Sequence, residues 1–178
     1  MCVFCGSSPG RDPLYLRVAR ESANALVRAG FDIVYGGGSI GLMGAMADAA
    51  LEAGGDVIGV IPEALARAEV AHSGLTQLYI VKSMHERKAL MADSSDGFIA
   101  LPGGFGTMDE LCEILTWRQL GIHDKPIGLL NASNYFADLL ALFDSMVEKG
   151  FVTPQHRRLF VDAPTIDELL ARMFAKAA

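Results

Sequence analysis

The stretch GFIALPGGFGTMDEL, from Gly97 to Leu111, joins a short apolar run to a helical pattern through a proline and three glycines. The apolar run Gly97–Leu101 is typical of a buried strand, and the residues from Thr107 to Leu120 follow the periodicity of a helix. A strand that passes through a glycine-rich loop into a helix is one unit of an α/β sheet. The stretch therefore predicts a parallel sheet with this loop at the carboxyl end of a strand.

The same alternation of strand and helix patterns extends over the whole chain. The other strand-like runs are Met1–Cys5, Phe31–Tyr35, Val57–Ile61, Leu78–Val81, Ile127–Leu130 and Leu159–Val161. The other helical patterns cover Pro13–Ala29, Leu42–Ala53, Ser83–Asp93, Asn134–Lys149 and Thr165–Ala175. Several runs are apolar throughout, as in parallel strands that helices cover on both faces. We therefore predict one α/β domain over residues 1–178, a doubly wound Rossmann-like fold with a mostly parallel sheet of about seven strands and helices on both faces.

Composition argues against several classes of partner. The chain carries a net charge of -6 without a cluster of Lys and Arg, so we expect no nucleic-acid partner. No segment approaches the ~18 apolar residues that a membrane helix needs, so we expect no membrane partner. The first residues, MCVFC, form a strand-like run without the basic leader of a signal peptide, and we expect a cytoplasmic protein.

Cysteine and histidine spacing does not indicate a redox or metal site. Cys2 and Cys5 form a C-x-x-C pair, but they lie in a strand-like run that points them to opposite faces. A redox pair belongs at the start of a helix, and no second cysteine pair is present to complete a zinc site. The four histidines are scattered, so we expect no metal.

A second glycine-rich loop, GGGSIG from Gly36 to Gly41, matches the G-x-G-x-x-G pattern of dinucleotide-binding proteins. In those proteins the loop follows the first strand, and an acidic residue lies at the end of the next strand. Here the loop follows the second strand, Asp56 precedes the third strand, and Glu63 comes seven residues too late. We therefore do not expect NAD, and close packing of the helix at Leu42 explains some of these glycines.

The loop PGGFGT, from Pro102 to Thr107, is the stronger candidate for anion binding. Glycines allow main-chain N–H groups to turn inward, and the helix that follows adds the positive end of its dipole. Thr107 and Glu110 have the T-x-x-E spacing of a capping box, which would make both residues structural. Glu110 near a helix start should also be ionised, which suits the stabilisation of a developing cation. Both interpretations remain open.

The segment SMHERK, from Ser83 to Lys88, opens the helix after the fourth predicted strand. Ser83 can cap this helix with Glu86 at the third helical position. Arg87 and Lys88 then lie near the helix start, where a positive charge opposes the dipole. They are either a solvated basic pair or are held there by an opposite charge.

The motifs PGGFGTMDE and MHERK, with Arg87 and Glu110 separated by 23 residues, resemble those of the LOG (Lonely Guy) family. YGGGSIGLMG and WRQLGIHDKPIGLLN add to the resemblance, which runs from about Cys2 to Val161. Members of this family are cytokinin riboside 5'-monophosphate phosphoribohydrolases, once widely labelled lysine decarboxylases. The resemblance implies hydrolysis of the N-glycosidic bond of N6-modified adenosine 5'-monophosphates, without a cofactor.

The resemblance also implies the roles of particular residues. Arg87 and Glu110 correspond to the catalytic pair, and the glycine loop corresponds to the site of the substrate's 5'-phosphate. The implied substrate contacts are Ser7, Glu69, Met84, Lys88, Gly103, Gly104, Phe105, Gly106, Thr107 and Thr116. The resemblance further implies a homodimer or a larger homo-oligomer, with active sites near the subunit interface.

Two other functions remain to be compared with hydrolysis. A lysine decarboxylase needs pyridoxal phosphate and a Schiff-base lysine, for which Lys88 beside Arg87 is the only candidate. A binding module would use the same fold to carry a nucleotide-like ligand without cleaving it. The presence of both Arg87 and Glu110 favours the enzyme.

Overall fold

The strands and helices alternate as the sequence predicts. A computed structural model describes residues 1–66 and 71–175. Its strands are β1 (Cys2–Phe4), β2 (Ile33–Tyr35), β3 (Val57–Pro62), β4 (Gln77–Val81), β5 (Phe98–Ala100), β6 (Ile127–Leu130) and β7 (Val161–Ala163). Its helices are α1 (Pro13–Arg28), α2 (Gly41–Glu52), α3 (Glu63–Ala66), α4 (Met84–Asp93), α5 (Phe105–Gln119), α6 (Ala137–Glu148), α7 (Pro154–Arg157) and α8 (Ile166–Met173).

The prediction for the last strand was wrong by two residues. The apolar run Leu159–Val161 was expected to be a strand, but the main-chain N–H of Leu159 donates to the carbonyl of His156 and so belongs to the turn that follows α7. Phe160 is buried in the core beside the sheet, so an apolar residue lies here although the strand has not yet started. The strand itself begins at Val161, where pairing with Gly128 of β6 starts.

All seven strands of this sheet are parallel, in the order β4-β3-β2-β1-β5-β6-β7. The chain first builds outward from β1 to β4 and then returns to place β5 on the other side of β1. Strand order therefore reverses between β1 and β5, and ligands of doubly wound sheets bind at the carboxyl ends of the strands at such a point. The loop after β1 and the loop after β5 are in contact at this point, since the N–H of Gly6 donates to the carbonyl of Pro102 over 3.1 Å.

Helices cover both faces of the sheet and bury two apolar clusters. One cluster joins the sheet to α1, α2 and α8, and the other joins it to α4 and α5, with α6 packed at its edge. Cys5 belongs to the first cluster and Cys2 to the second, so they lie on opposite faces as predicted. Burial raises the pKa of both thiols, which makes them poor nucleophiles. Within residues 1–66 and 71–175, no helix is long and apolar enough to cross a bilayer.

Candidate active site

Helix α4 begins at the cap that its sequence predicts. The Ser83 hydroxyl accepts a hydrogen bond from the N–H of Glu86 over 3.1 Å. The Glu86 carboxylate in turn accepts one from the N–H of Lys82 over 2.8 Å. These two bonds fix the first turn of α4. Arg87 follows one turn after Ser83, and it is buried with only 6% of its surface exposed.

Helix α5 does not begin at the predicted capping box. Its N-cap is Gly104, and no side chain caps it. Thr107 is therefore the third helical residue instead of the cap, and the expected Thr107–Glu110 capping box is wrong. The backbone of Gly104 is extended, with φ -93° and ψ -151°, and the N-cap lies three residues earlier than predicted. The N–H groups of the first turn have no acceptor within the helix, so they are available to a ligand.

The earlier start turns Thr107 and Glu110 into neighbours on the buried face of α5. Residues three apart in a helix share a face, and both are buried, at 3% and 8% exposure. The Glu110 carboxylate accepts a hydrogen bond from Nη2 of Arg87 over 3.3 Å, which makes a buried ion pair. The opposite charge on α5 thus compensates the unfavourable position of Arg87 near the start of α4, and the solvated-pair interpretation is wrong.

This ion pair lies in a cavity of about 240 Å³ at the point where strand order reverses. Residues of the loops after β1 and β5 line it together with residues of α4 and α5. Phe105 stands at the cavity with 96% of its surface exposed. The volume is close to the lower end of the ~300–1,000 Å³ range of small-molecule sites.

Two polar atoms of the cavity are buried without a hydrogen-bond partner among the residues that the structure describes. They are Nε of Arg87 and the hydroxyl oxygen of Thr107. A buried polar group that lacks a partner costs free energy, so such groups are rare unless a ligand or water satisfies them. Together with the amides of the α5 first turn, these atoms indicate a polar ligand with negative charge.

The glycines of GGGSIG make room for the site. A Cβ atom at Gly36 would lie 2.1 Å from Nη2 of Arg87, so only glycine leaves space for the guanidinium. Gly41 has a φ of +63°, and a Cβ there would lie 2.3 Å from the carbonyl carbon of Ser7. The first amides of α2, from Leu42 and Met43, donate to the carbonyl of Gly6 over 3.0 and 3.3 Å. These amides would have to hold the pyrophosphate of a dinucleotide, and Gly6 already occupies them.

Lys88 links α4 to α5 beside the catalytic candidates. Its Nζ lies 3.2 Å from a carboxylate oxygen of Asp109 and 3.1 Å from one of Glu113. Burial alone would lower the pKa of Lys88, but the hydrogen bonds and charges of Glu113 and Asp109 outweigh burial and raise it. A Schiff-base lysine must be an unprotonated nucleophile, so Lys88 does not fit the role that pyridoxal phosphate requires.

The structure brings most of the sequence-predicted site residues into one cavity. They are Ser7, Met84, Arg87, Gly104, Phe105, Gly106, Thr107 and Glu110. Lys88 reaches the edge of the cavity through its contact with Asp109. Gly103 lines the neighbouring cavity. Glu69 lies outside the described residues.

Thr116 lies apart from the other sequence-predicted residues. It is exposed on the outer side of α5, in a separate apolar groove that also includes Phe143 and Met146 of α6. Its hydroxyl donates to the carbonyl of Cys112. Within one chain, Thr116 therefore does not line the cavity that contains Arg87 and Glu110.

Several cavity residues did not come from sequence reasoning. They are Val3, Cys5, Gly6, Gly36, Met43, Leu65 and Asp109. Gly36 belongs to the run GGGSIG, whose match to the dinucleotide pattern we did not accept, and to the motif YGGGSIGLMG that adds to the family resemblance. The other residues carry no motif, because their proximity depends on how the loops pack.

Comparison with known proteins finds a matching family model and relatives that are named as enzymes. The family model described as "Possible lysine decarboxylase" matches residues 43–173. A protein of Oryza sativa subsp. japonica named as a probable cytokinin riboside 5'-monophosphate phosphoribohydrolase is 51% identical over 173 residues, which are 97% of this chain and 78% of that protein. An Arabidopsis thaliana protein named as an enzyme of the same activity is 50% identical over 173 residues, 97% of this chain and 80% of that protein.

Solved structures show the same fold at much lower identity. The molybdenum cofactor carrier protein of Chlamydomonas reinhardtii superposes with a TM-score of 0.71 at 22% identity, over 98% of this chain and 97% of that chain. A molybdenum cofactor binding protein of Rippkaea orientalis superposes with a TM-score of 0.72 at 20% identity, over 96% and 93% of the two chains. At this level of identity the likeness concerns the fold alone.

Proposed function

Because the chain belongs to the LOG family of cytokinin riboside 5'-monophosphate phosphoribohydrolases, we propose that it hydrolyses N6-modified adenosine 5'-monophosphates. The products are the free base and ribose 5-phosphate. The observation that carries the proposal is the buried Arg87–Glu110 pair beside the uncapped start of α5. A carboxylate and a helix start that favours an anion line the same cavity, which supports the proposal because cleavage of a nucleotide uses both.

The chemistry follows from the charge that develops on the ribose. As the C1'–N9 bond breaks, its electron pair leaves with the purine, and C1' acquires the character of an oxocarbenium ion. The Glu110 carboxylate stabilises this positive charge and orients the water that attacks C1'. The water oxygen bonds to C1', one proton of the water leaves the attacking oxygen, and the departing base takes up a proton. The reaction consumes one water molecule and needs no cofactor.

Arg87 also acts in the cleavage of the C1'–N9 bond, as the partner of Glu110 in the ion pair. Its Nη2 bonds Glu110, so the carboxylate is held in one orientation. Its Nε is buried without a partner among the described residues, and it can donate to the purine as electron density flows into the base. Arg87 therefore both positions Glu110 and stabilises the leaving group.

The start of α5 and the loop before it bind the 5'-phosphate in this proposal. The N–H groups of the first turn and the helix dipole favour an anion there, and the hydroxyl of Thr107 supplies a further donor. Ser7 and Met84 line the same cavity. Lys88 adds a positive charge nearby, and the negative charges of Asp109 and Glu113 partly offset it.

The phosphate gives the first prediction. Binding energy from a group far from the broken bond positions C1' against Glu110, so a substrate without phosphate loses turnover as well as affinity. We expect kcat/KM for adenosine 5'-monophosphate, and for its N6-isopentenyl analogue, to exceed that of the matching nucleosides by at least ~100-fold. Chromatographic detection of the free base measures both rates.

Two results would contradict this proposal. Equal kcat/KM for nucleotide and nucleoside would exclude a phosphate site at the glycine loop. Saturable binding of the nucleotides without release of any base would favour the non-catalytic binding module.

We also propose that two copies of this chain form a homodimer through the outer faces of α5 and α6. No residue of α6 is fully buried, although the helix contains Leu139, Leu140, Leu142 and Phe143. Leu120 and Leu142 are 66% and 51% exposed, and an apolar surface of this kind is typical of an interface. The position of Thr116 on this face supports the proposal, since the resemblance implies that Thr116 contacts substrate.

Sedimentation velocity at micromolar concentration measures the assembly. We expect a dimer for the parent and a monomer for Leu142→Glu, because a buried charge without a partner disfavours the interface. A monomeric parent would contradict the proposal.

The charged nucleotide substrates do not cross membranes unaided, which supports a cytoplasmic location for the enzyme.

A further inference from the structure

Tyr135 contacts the glycine loop from outside the active-site cavity. Its hydroxyl donates a hydrogen bond of 2.6 Å to the carbonyl oxygen of Gly103. Tyr135 and Gly103 line a second cavity, which shares Gly6, Ser7 and Gly104 with the first. The peptide between Gly103 and Gly104 therefore lies between the two cavities.

This hydrogen bond determines which way the Gly103–Gly104 peptide faces. In a planar trans peptide the C=O and N–H bonds point in opposite directions. Because the Gly103 carbonyl points to Tyr135, the N–H of Gly104 points away from Tyr135. Gly104 itself lines the active-site cavity together with Phe105 and Gly106. Two adjacent glycines could otherwise rotate this peptide easily, since neither has a Cβ atom that restricts its backbone.

The backbone that carries Tyr135 is in an uncommon conformation. Ser133 and Asn134, which precede it, have φ values of 52° and 58°, in the left-handed region that few residues other than glycine adopt. The loop keeps this conformation because Phe136 is buried and its N–H donates to the Asn131 side chain over 2.7 Å. Strained backbone that the surroundings hold in place is often found at functional sites.

Aromatic contacts hold the Tyr135 ring in place. Tyr15 packs edge-on against it with ring centroids 5.6 Å apart, and Phe136 does so at 5.0 Å. Gly10, with a φ of +73°, passes close to Tyr15, where a Cβ atom would lie 2.9 Å from the ring. The hydroxyl of Tyr135 is therefore presented to Gly103 by a packed cluster, although 40% of the residue is exposed.

We propose that Tyr135 is a positioning residue that turns the N–H of Gly104 toward the 5'-phosphate of the substrate. This inference rests on the proposed function in so far as it assigns the phosphate to the glycine loop. Tyr135 acts only through the Gly103–Gly104 peptide. Removal of the Tyr135 hydroxyl should therefore weaken the binding of ligands that carry the phosphate and leave the binding of ligands without it unchanged.

The test compares Tyr135→Phe with the parent in binding ribose 5-phosphate and adenosine, both measured by titration calorimetry. Phenylalanine keeps the ring contacts and removes only the hydroxyl. We expect ribose 5-phosphate to bind about tenfold more weakly, the affinity for adenosine to change less than about twofold, and the melting temperature to stay within about 3 °C. Tyr15→Phe is the matched control, because it removes a neighbouring hydroxyl and leaves the bond to Gly103 intact; we expect parental affinity for both ligands.

Each other outcome overturns the inference. Unchanged affinity of Tyr135→Phe for ribose 5-phosphate would show that the hydroxyl does not orient the site. A parent that does not bind ribose 5-phosphate would remove the phosphate site on which the inference rests. An equal loss for both ligands, or a large drop in melting temperature, would show a general structural role. The binding assay does not depend on turnover, so a parent that binds ribose 5-phosphate through Tyr135 but releases no base would contradict the proposed function alone.

Discussion

Replacing Glu110 with glutamine is expected to lower kcat at least ~100-fold, which corresponds to about 2.7 kcal/mol of transition-state stabilisation. The substitution removes the negative charge that faces the developing oxocarbenium ion and keeps nearly the same shape. Its side-chain oxygen can still accept the hydrogen bond that Glu110 accepts from Arg87. The Arg87 guanidinium nevertheless stays buried without this counter-charge, so we expect the free energy of unfolding to fall by about 3 kcal/mol. The single-turnover rate and the melting temperature measure the two effects separately.

Glu52→Gln is the matched control for this variant. It makes the same chemical change on the surface, where Glu52 pairs with Arg20 over 2.6 Å. Exposed ion pairs contribute about 1 kcal/mol or less, so the parental rate and stability should persist. If Glu110→Gln also cleaves at close to the parental rate, the carboxylate is structural and the proposed mechanism is wrong.

The fold was largely predictable because the signals that specify it are local. Continuous apolar runs between helical patterns indicate parallel strands, and the bounds of Ile127–Leu130 were predicted to the residue. The sequence also placed the glycine loop PGGFGT at the carboxyl end of a parallel strand, where ligands of such sheets bind. The order of the strands was not visible, because it depends on which strand the chain returns to.

The interpretation of Thr107 and Glu110 shows where sequence reasoning fails. The three-residue spacing of Thr107 and Glu110 gives a capping box if Thr107 is the N-cap. It gives two residues on one buried face if Gly104 is the N-cap. Glycine at the N-cap has no side chain to mark the start, so the sequence could not separate the two cases. The contact between Gly36 and Arg87 was equally hidden, because it joins two segments that only the folded chain brings together.

The Arg87–Glu110 pair is the contact that sequence spacing could least explain. Arg87 precedes β5 and Glu110 follows it, so the strand between them brings α4 and α5 side by side on one face of the sheet. A buried ion pair of this kind is weak support for stability, since desolvation offsets much of the attraction between the charges. Its place in a ligand-sized cavity is better explained by chemistry that needs both charges.

Replacing Arg87 with alanine should therefore remove activity and also reduce stability. We expect kcat to fall at least ~100-fold, because the leaving base loses its donor and Glu110 loses the group that orients it. We expect the free energy of unfolding to fall by about 3 kcal/mol, since the Glu110 charge stays buried without this cation. For a chain of this size that is a decrease of about 6–12 °C in melting temperature, which calorimetry measures. Arg20→Ala, which breaks an exposed pair, should change neither activity nor melting temperature appreciably.

The double variant Arg87→Ala/Glu110→Gln separates the two effects of losing Arg87. Removing the carboxylate charge as well should restore most of the melting temperature, because the buried anion is removed together with the buried cation that faced it. Activity should not return, since both groups that act on the ribose and the base are absent. A double variant as unstable as Arg87→Ala would show that packing, not charge burial, causes the loss of stability. If Arg87→Ala folds and cleaves the substrate at the parental rate, Arg87 has no part in the mechanism and Glu110 acts without it.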